Sequence, residues 1–137
     1  NKVVMMLASD SLRVALVTTH LPLAEVPSAI TFKNITETIT LLSRSLQEHF
    51  GIQQPTLLVC GLNPHAGEQG LMGQEEERVL KPAIDASRAR GINVNGPFPA
   101  DTVFARALGG EFDAVVLISL SVILILHMRS REILYGI

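Results

Sequence analysis

Two histidines follow directly on apolar, β-rich runs, which is where chemistry is usually found in α/β proteins. His20 comes after the run LRVALVTT (12–19), and His65 lies in a glycine-rich loop after the run TLLVC (56–60). Ligands of open α/β sheets bind beyond the carboxyl ends of the strands. If these two strands are parallel neighbours, both imidazoles project over one sheet edge and could share a divalent metal, for which imidazole is a common ligand. No HxxxH or HxH pair is present. The alternative that His20 and His65 are ordinary loop or core histidines without a metal therefore stays open.

Asp101 is the carboxylate that could complete such a site. It lies in NGPFPADT, a Pro- and Gly-rich loop that follows a predicted strand. An Asp ahead of Thr and a short helix is also a common N-cap, and both interpretations stay open. The glycines of 61–73 could let backbone N–H groups approach an anion, or form a tight turn that positions His65. Neither GxGxxG nor GxxxxGK[ST] occurs, so an ordinary Rossmann or P-loop nucleotide site is not supported.

The other histidines and the single cysteine receive structural interpretations. His49, near a predicted helix end, suits the helix dipole. His127 has no recognisable partner motif. Cys60 lies in an apolar run, where a small buried thiol is the common case, and no second cysteine exists to form an internal disulfide.

The elements that must position these residues alternate between strand and helix. Strands are predicted at 3–7, 12–19, 56–60, 92–94 and 112–118. Apolar residues recur at steps of three or four from Ile35 to Phe50, which predicts a helix that Gly51 terminates in a left-handed cap. Pro82 predicts a kink or two shorter helices in the helical segment that ends at Gly91. A short helix is predicted at 102–108. The order predicts a layered α/β/α fold with a largely parallel or mixed sheet.

Composition narrows the class of protein. The 137 residues, 47% of them hydrophobic, suit one compact domain. A net charge of -2 without a basic cluster argues against a nucleic-acid partner. The uncharged run 114–126 is shorter than the roughly 20 residues that cross a bilayer. We therefore expect a buried strand or helix there, and we expect no membrane partner. The start, NKVVMMLASD, lacks the long apolar stretch of a signal peptide, so we expect a cytoplasmic location and a longer parent protein.

Four motifs carry a resemblance to a known family. VVMMLAS, RVALVTTHLPL, LVCGLNPHAGEQGLMGQEE and NGPFPADTVF are similar, in order and spacing, to the central part of the 4-hydroxythreonine-4-phosphate dehydrogenase (PdxA) family of vitamin B6 biosynthesis. The resemblance implies a fold like that of the isocitrate and isopropylmalate dehydrogenases. It also implies that His20 and His65 bind a divalent metal (zinc, magnesium or cobalt). Asp101 matches the acid beside that metal and is the catalytic residue that the resemblance assigns.

The resemblance stops near the last predicted strand. The family's third metal histidine, in a motif like MYHDQG, falls on Leu120, and the chain there reads LISLSVILIL. The downstream lysine, asparagine and arginine of the family and its upstream His-Thr pair have no counterpart in this chain. We therefore expect a partial PdxA-like α/β domain at 1–118 and a divergent tail at 119–137, which a shifted reading frame or true divergence would explain.

The family activity that the resemblance implies is oxidation of 4-phosphooxy-L-threonine by NAD, with decarboxylation to 3-amino-2-oxopropyl phosphate. The implied partners are this small phosphorylated hydroxy amino acid and a second subunit, since the family forms homodimers with sites at the subunit junction. Because groups of the family site are missing, the chain alone is expected to be inactive. Two alternatives remain: a sister dehydrogenase of a phosphorylated four-carbon sugar acid, and a non-catalytic remnant or interaction domain.

Overall fold

A computed structural model describes residues 3–8, 12–19, 21–61, 74 and 76–118. Within them, five strands form one sheet in the order β1-β2-β5-β3-β4. The strands are β1 (Met5–Ala8), β2 (Arg13–Leu16), β3 (Thr56–Cys60), β4 (Asn93–Phe98) and β5 (Ala114–Leu117). β1 is antiparallel to β2, and every other pair is parallel. The predicted α/β class with a largely parallel sheet is thereby confirmed.

The helices are α1 (Val26–Ala29), α2 (Phe32–Phe50), α3 (Lys81–Ala89) and α4 (Ala100–Leu108), with a 3₁₀ turn at Leu23–Glu25 and a π-helical turn at Glu76–Leu80. α2 is defined by its two ends. Thr31 caps its first turn by accepting a hydrogen bond from the Asn34 amide at 3.1 Å, and Gly51 ends it with a left-handed φ of 69°. Both features satisfy backbone groups that a helix leaves unpaired at its ends.

Both faces of the sheet are buried beneath helices, which makes the fold a three-layer α/β/α sandwich. Successive strand residues point to opposite faces, so Leu57 and Val59 join the core beneath α2 and α3, whereas Leu58 and Cys60 join the core beneath α4. The larger core takes four residues of the predicted stripe of α2, namely Ile35, Ile39, Leu42 and Leu46. The fifth, Phe50 at the end of the helix, is exposed, so the prediction that it faces the core is wrong. Both faces of the parallel strands are therefore covered by helices, as is usual for parallel sheets.

Several boundaries differ from the sequence-based prediction. β2 ends at Leu16 rather than at residue 19, because the backbone bends at Val17. β4 runs to Phe98, although NGPF was predicted as a loop. A Gly and a Pro fit there because β4 is an edge strand of the described sheet and contains a register shift opposite β3.

The segment around Pro82 agrees with the prediction of a kink or two shorter helices. The π-helical turn passes directly into α3, and Pro82 lies in the first turn of α3, where a missing amide donor costs least. No helix among the described residues is long and apolar enough to cross a membrane. The predicted tail at 119–137 lies outside the described residues.

Candidate functional site

The carboxyl ends of four strands lie along one edge of the sheet. Since β2, β5, β3 and β4 are parallel and adjacent in that order, the segments that leave them begin side by side. These segments begin at Val17, Ile118, Gly61 and Pro99. Ligands of open α/β sheets bind beyond this edge, which makes it the candidate site.

Both predicted metal ligands, His20 and His65, lie outside the described residues. The strands that precede them are described, and they end at the candidate edge. β5 lies between β2 and β3, so the strands are separated by two sheet spacings, roughly 10 Å. The expectation that they are parallel is confirmed, but they are not direct neighbours. That the two imidazoles share an ion stays a prediction.

Thr18 joins the end of β2 to the end of β5. Its amide donates to the Ile118 carbonyl at 3.0 Å, and its hydroxyl donates to the same carbonyl at 2.6 Å. The Val17 amide donates to the Leu117 carbonyl at 2.9 Å, which extends the contact between the two segments. Thr18 is buried, so its hydroxyl is used within the fold. Sequence reasoning missed this residue, since nothing local distinguishes it from Thr19.

β3 and β4 are held in register up to the same edge. The Gly61 amide donates to the Phe98 carbonyl at 2.9 Å. Before this contact, β4 contains one more residue than the matching stretch of β3. Leu58 pairs with Asn95, but Cys60, two residues later, pairs with Phe98, three residues later. Such a bulge changes the direction in which a strand leaves the sheet, and here it leads β4 into α4.

Asp101 is the second residue of α4 and therefore lies in its first turn at the candidate edge. Pro99 takes the N-cap position, and the cap has no side-chain hydrogen bond. The interpretation of Asp101 as an N-cap is therefore wrong: the helix begins one residue before it. The role of Asp101 beside a metal stays a prediction.

The other end of α4 is held by a cluster around Arg106. Its guanidinium carbon lies 5.1 Å from the centre of the Phe98 ring and 5.0 Å from that of Phe112. Its Nε donates to Glu111 Oε2 at 2.9 Å. Cation–π contacts of this kind are attractive. The cluster joins α4 to the last residue of β4 and to the segment before β5, and so fixes the helix that carries Asp101.

The described residues alone do not form a metal site. They contain no group of three His, Cys, Asp or Glu side chains that could hold an ion. Burial raises the pKa of the Cys60 thiol, which disfavours the thiolate form that binds metals. A donor set at this edge therefore depends on residues beyond the strand ends, and imidazoles from the segments after β2 and β3 would suit a divalent cation.

A concave region at the opposite edge of the sheet has a different character. It is a polar cleft of about 520 Å³ whose lining includes Gln47, Gln53, Thr56 and Asn93. None of its described lining residues is charged, and none is a predicted site residue.

The chain resembles known proteins over nearly the whole described region. A family model described as "Pyridoxal phosphate biosynthetic protein PdxA" matches residues 1–118. The 4-hydroxythreonine-4-phosphate dehydrogenase of Sodalis glossinidius is 57% identical over 115 residues, which are 84% of this chain and 35% of the relative. The enzyme of the same name from Saccharophagus degradans is 54% identical over 115 residues, or 84% of this chain and 34% of the relative. The chain thus spans about a third of the length of these relatives.

Solved structures show the same likeness. The 4-hydroxythreonine-4-phosphate dehydrogenase of Klebsiella pneumoniae superposes with a TM-score of 0.82 at 40% identity, covering 85% of this chain and 35% of that one. A terephthalate 1,2-cis-dihydrodiol dehydrogenase of Burkholderia xenovorans superposes with a TM-score of 0.78 at 27% identity, covering 85% of this chain and 36% of that one. The architecture therefore occurs in dehydrogenases with different substrates.

Proposed function

Since the chain belongs to the PdxA family of pyridoxal phosphate biosynthetic proteins, we propose that it carries the metal-binding part of a 4-hydroxythreonine-4-phosphate dehydrogenase site. The observation that supports this most directly is the topology of the sheet. The strands that precede His20 and His65 are parallel and end at one edge, on either side of β5. We expect the imidazoles of the segments that follow these strands to meet at this edge.

The proposed reaction is the NAD-dependent oxidation of the hydroxyl group of 4-phosphooxy-L-threonine, followed by loss of carbon dioxide. A divalent metal would supply Lewis-acid chemistry there, by polarising the hydroxyl oxygen of the substrate. His20 and His65 would bind it as neutral imidazoles, because metal ligands must be deprotonated. Asp101, in the first turn of α4, would complete or tune the site from close range. The nicotinamide would accept the hydride, and the sequence does not identify the residues that would bind it.

The described residues would contribute a buried, hydrogen-bonded support for this site. Leu117 and Ile118 are fully buried, and the polar groups at the ends of β2 and β5 are hydrogen-bonded to each other. Such an apolar support lowers the local dielectric, which strengthens electrostatic interactions at the site.

The alternative enzyme is a dehydrogenase of a phosphorylated four-carbon sugar acid. The likeness to a dihydrodiol dehydrogenase supports the general point that this architecture serves more than one substrate. Residues that would choose between the substrates have no counterpart in this chain, whose match covers 35% of the first of these relatives. A homodimer, a cytoplasmic location and a divergent tail at 119–137 stay predictions.

Metal titration of the 137-residue chain tests the proposal. Calorimetry with Zn²⁺ or Co²⁺ should detect weak binding that His20→Ala and His65→Ala each reduce at least about tenfold, on the order of the loss that second-shell mutations already cause. His49→Ala is the matched control, because His49 is an exposed imidazole in the last turn of α2. Equal affinity of all four proteins would show that the site lies elsewhere or does not exist.

A further inference from the structure

The polar cleft at the amino ends of β3 and β4 contains a shielded hydroxyl group that the fold does not use. Ser43 lies on the inward face of α2, four residues after Ile39 and three before Leu46. It lines the cleft and is only 7% exposed. Its side chain makes no hydrogen bond within the described part of the chain. A serine in an apolar stripe therefore brings a polar group to the floor of the cleft.

Other hydroxyls of α2 are used by the helix itself. Thr36, Thr38 and Thr40 each donate to the carbonyl four residues earlier, at 2.9, 2.7 and 2.8 Å, which is a common bond of helical hydroxyls. Since no fully buried side-chain oxygen or nitrogen of the described residues lacks a partner, the Ser43 oxygen keeps contact with the open space of the cleft. Its hydroxyl can both donate to a ligand and accept from one.

Three further side chains of the cleft have hydrogen-bonding capacity that the fold leaves over. The Gln47 amide nitrogen donates to the Gln53 carbonyl at 3.0 Å, which leaves the side-chain oxygen of Gln47 as an acceptor. The Asn93 amide nitrogen donates to the Thr56 hydroxyl oxygen at 3.2 Å. This bond leaves the Asn93 side-chain oxygen as an acceptor and the Thr56 hydroxyl proton as a donor. The cleft thus offers neutral donors and acceptors together.

The walls of the cleft are held in place by the fold. The Ile52 amide donates to the Leu46 carbonyl at 3.1 Å, which fixes the chain just after α2. The Thr56 amide donates to Asp113 Oδ2 at 2.8 Å, which fixes the start of β3. The volume of about 520 Å³ lies within the range of small-molecule pockets. A ligand would therefore enter a formed cleft and would not have to order its walls.

We propose that this cleft binds a neutral polyhydroxy compound of about the size of a monosaccharide. None of the described lining residues has a charge or an aromatic ring, so neither ion pairing nor ring stacking is offered to a ligand there. Hydroxyl groups both donate and accept, which suits the mixture of carboxamide oxygens and hydroxyls in the lining. The proposal is independent of the metal site proposed above, because the cleft lies at the opposite edge of the sheet.

NMR titration of the 137-residue chain tests the proposal through its backbone and side-chain amide signals. The probes are D-glucose, a ring polyol, its open-chain counterpart D-sorbitol, and inorganic phosphate. D-Glucose should shift the side-chain amide signals of Gln47 and Asn93 and the backbone signal of Ile92 in a saturable way. Its Kd should be on the order of millimolar, because a small neutral ligand gains little free energy per atom. D-Sorbitol should bind more weakly, since a flexible chain loses more freedom on binding, and phosphate should not bind.

Two variants remove ligand contacts from the cleft. Ser43→Ala should weaken D-glucose binding about 3- to 10-fold, the loss expected for one hydrogen bond. Asn93→Ala should weaken it as well. Ser43→Ala should fold, since alanine favours helices and the lost hydroxyl has no partner in the fold. Ser45→Ala is the matched control: it makes the same change in the same helix, but Ser45 lines a separate groove beside β1, and D-glucose affinity should stay as in the wild type.

Three results would overturn the proposal. The first is the absence of saturable shifts with either polyol. The second is equal D-glucose affinity of the wild type, Ser43→Ala and Asn93→Ala, which would place the binding outside the cleft. The third is tighter binding of phosphate than of D-glucose, which would make the ligand a charged one. None of these results bears on the metal site, which stands or falls with the Zn²⁺ and Co²⁺ titrations of the histidine variants.

Discussion

Gly96 lies so close to Val59 that no side chain fits between the two strands. A Cβ added to Gly96 would lie 2.6 Å from the backbone oxygen of Val59 and 3.2 Å from its Cβ. The φ of Gly96 is +141°, a conformation that residues with side chains rarely adopt. This contact adjoins the bulge that leads β4 toward α4. A glycine at this position is therefore needed for β3 and β4 to pair as they do at the candidate edge.

Gly96→Ala is therefore expected to be strongly destabilising. Backbone strain and overpacking each cost about 1–3 kcal/mol. Gly51→Ala is the control, since Gly51 has a φ of +69° with nothing within 4 Å of an added Cβ, and it should lose only the strain contribution of about 1 kcal/mol. Urea unfolding measures both. Equal losses in the two variants would mean that β3 and β4 separate at little cost.

The buried thiol of Cys60 predicts a pH dependence of stability. Burial raises its pKa above the ordinary value of 9.0, so in alkali the unfolded chain releases this proton while the folded chain keeps it. The contribution of the buried thiol to the free energy of unfolding is fully present below pH 9. It is lost as the pH rises above 9, at about 1.4 kcal/mol per pH unit.

Unfolding free energies at pH 8 and 10 check this, with Cys60→Ala as the comparison. The wild type should lose about 1.4 kcal/mol more over this interval than the variant, because only the wild type has the thiol. Other groups titrate in both proteins and cancel. A parallel pH dependence of the two proteins would contradict the burial of Cys60.

The Arg106 cluster should contribute measurably to stability. Arg106→Ala removes contacts with the Phe98 and Phe112 rings and the ion pair with Glu111, and a loss of about 1–2 kcal/mol is expected from two cation–π contacts of about 0.5–1 kcal/mol each. Lys33→Ala is the control, because the Lys33 side chain is 82% exposed and its ion pair with Glu37 spans 3.9 Å. Such exposed pairs contribute little. Thermal unfolding distinguishes the two, and a loss as small as that of the control would remove Arg106 from the support of α4.

The last prediction is that the 137-residue chain by itself shows no measurable dehydrogenase turnover. The resemblance implies an upstream His-Thr pair, a third metal histidine and a downstream lysine, and none of these has a counterpart in the sequence. Loss of one group that stabilises developing charge costs about 10²- to 10³-fold in rate, although such losses need not multiply. NADH formation is followed by absorbance with 4-phosphooxy-threonine, NAD and added Zn²⁺, Mg²⁺ or Co²⁺. Metal-dependent turnover would mean that residues after Ile118 supply ligands that the sequence comparison does not reveal.

Local sequence patterns determined most of the elements. The stripe from Ile35 to Phe50 predicted α2, and Gly51 predicted its end, because helix periodicity and a left-handed cap are properties of neighbouring residues. The run 56–60 likewise predicted β3 at its observed limits. The prediction failed at 95–98, since a strand that contains Gly96 and Pro97 depends on where it lies in the sheet and on what lies beside it.

The sequence by itself determined the family and the positions of His20 and His65 after two strands. Only the tertiary structure decided that β5 lies between those strands, that Thr18 binds the Ile118 carbonyl and that Gly96 meets Val59. The reason is physical: an apolar run makes the same local pattern whichever strand it pairs with. Partners 100 residues apart, such as Thr18 and Ile118, are selected by the packing of the whole sheet and its two layers of helices.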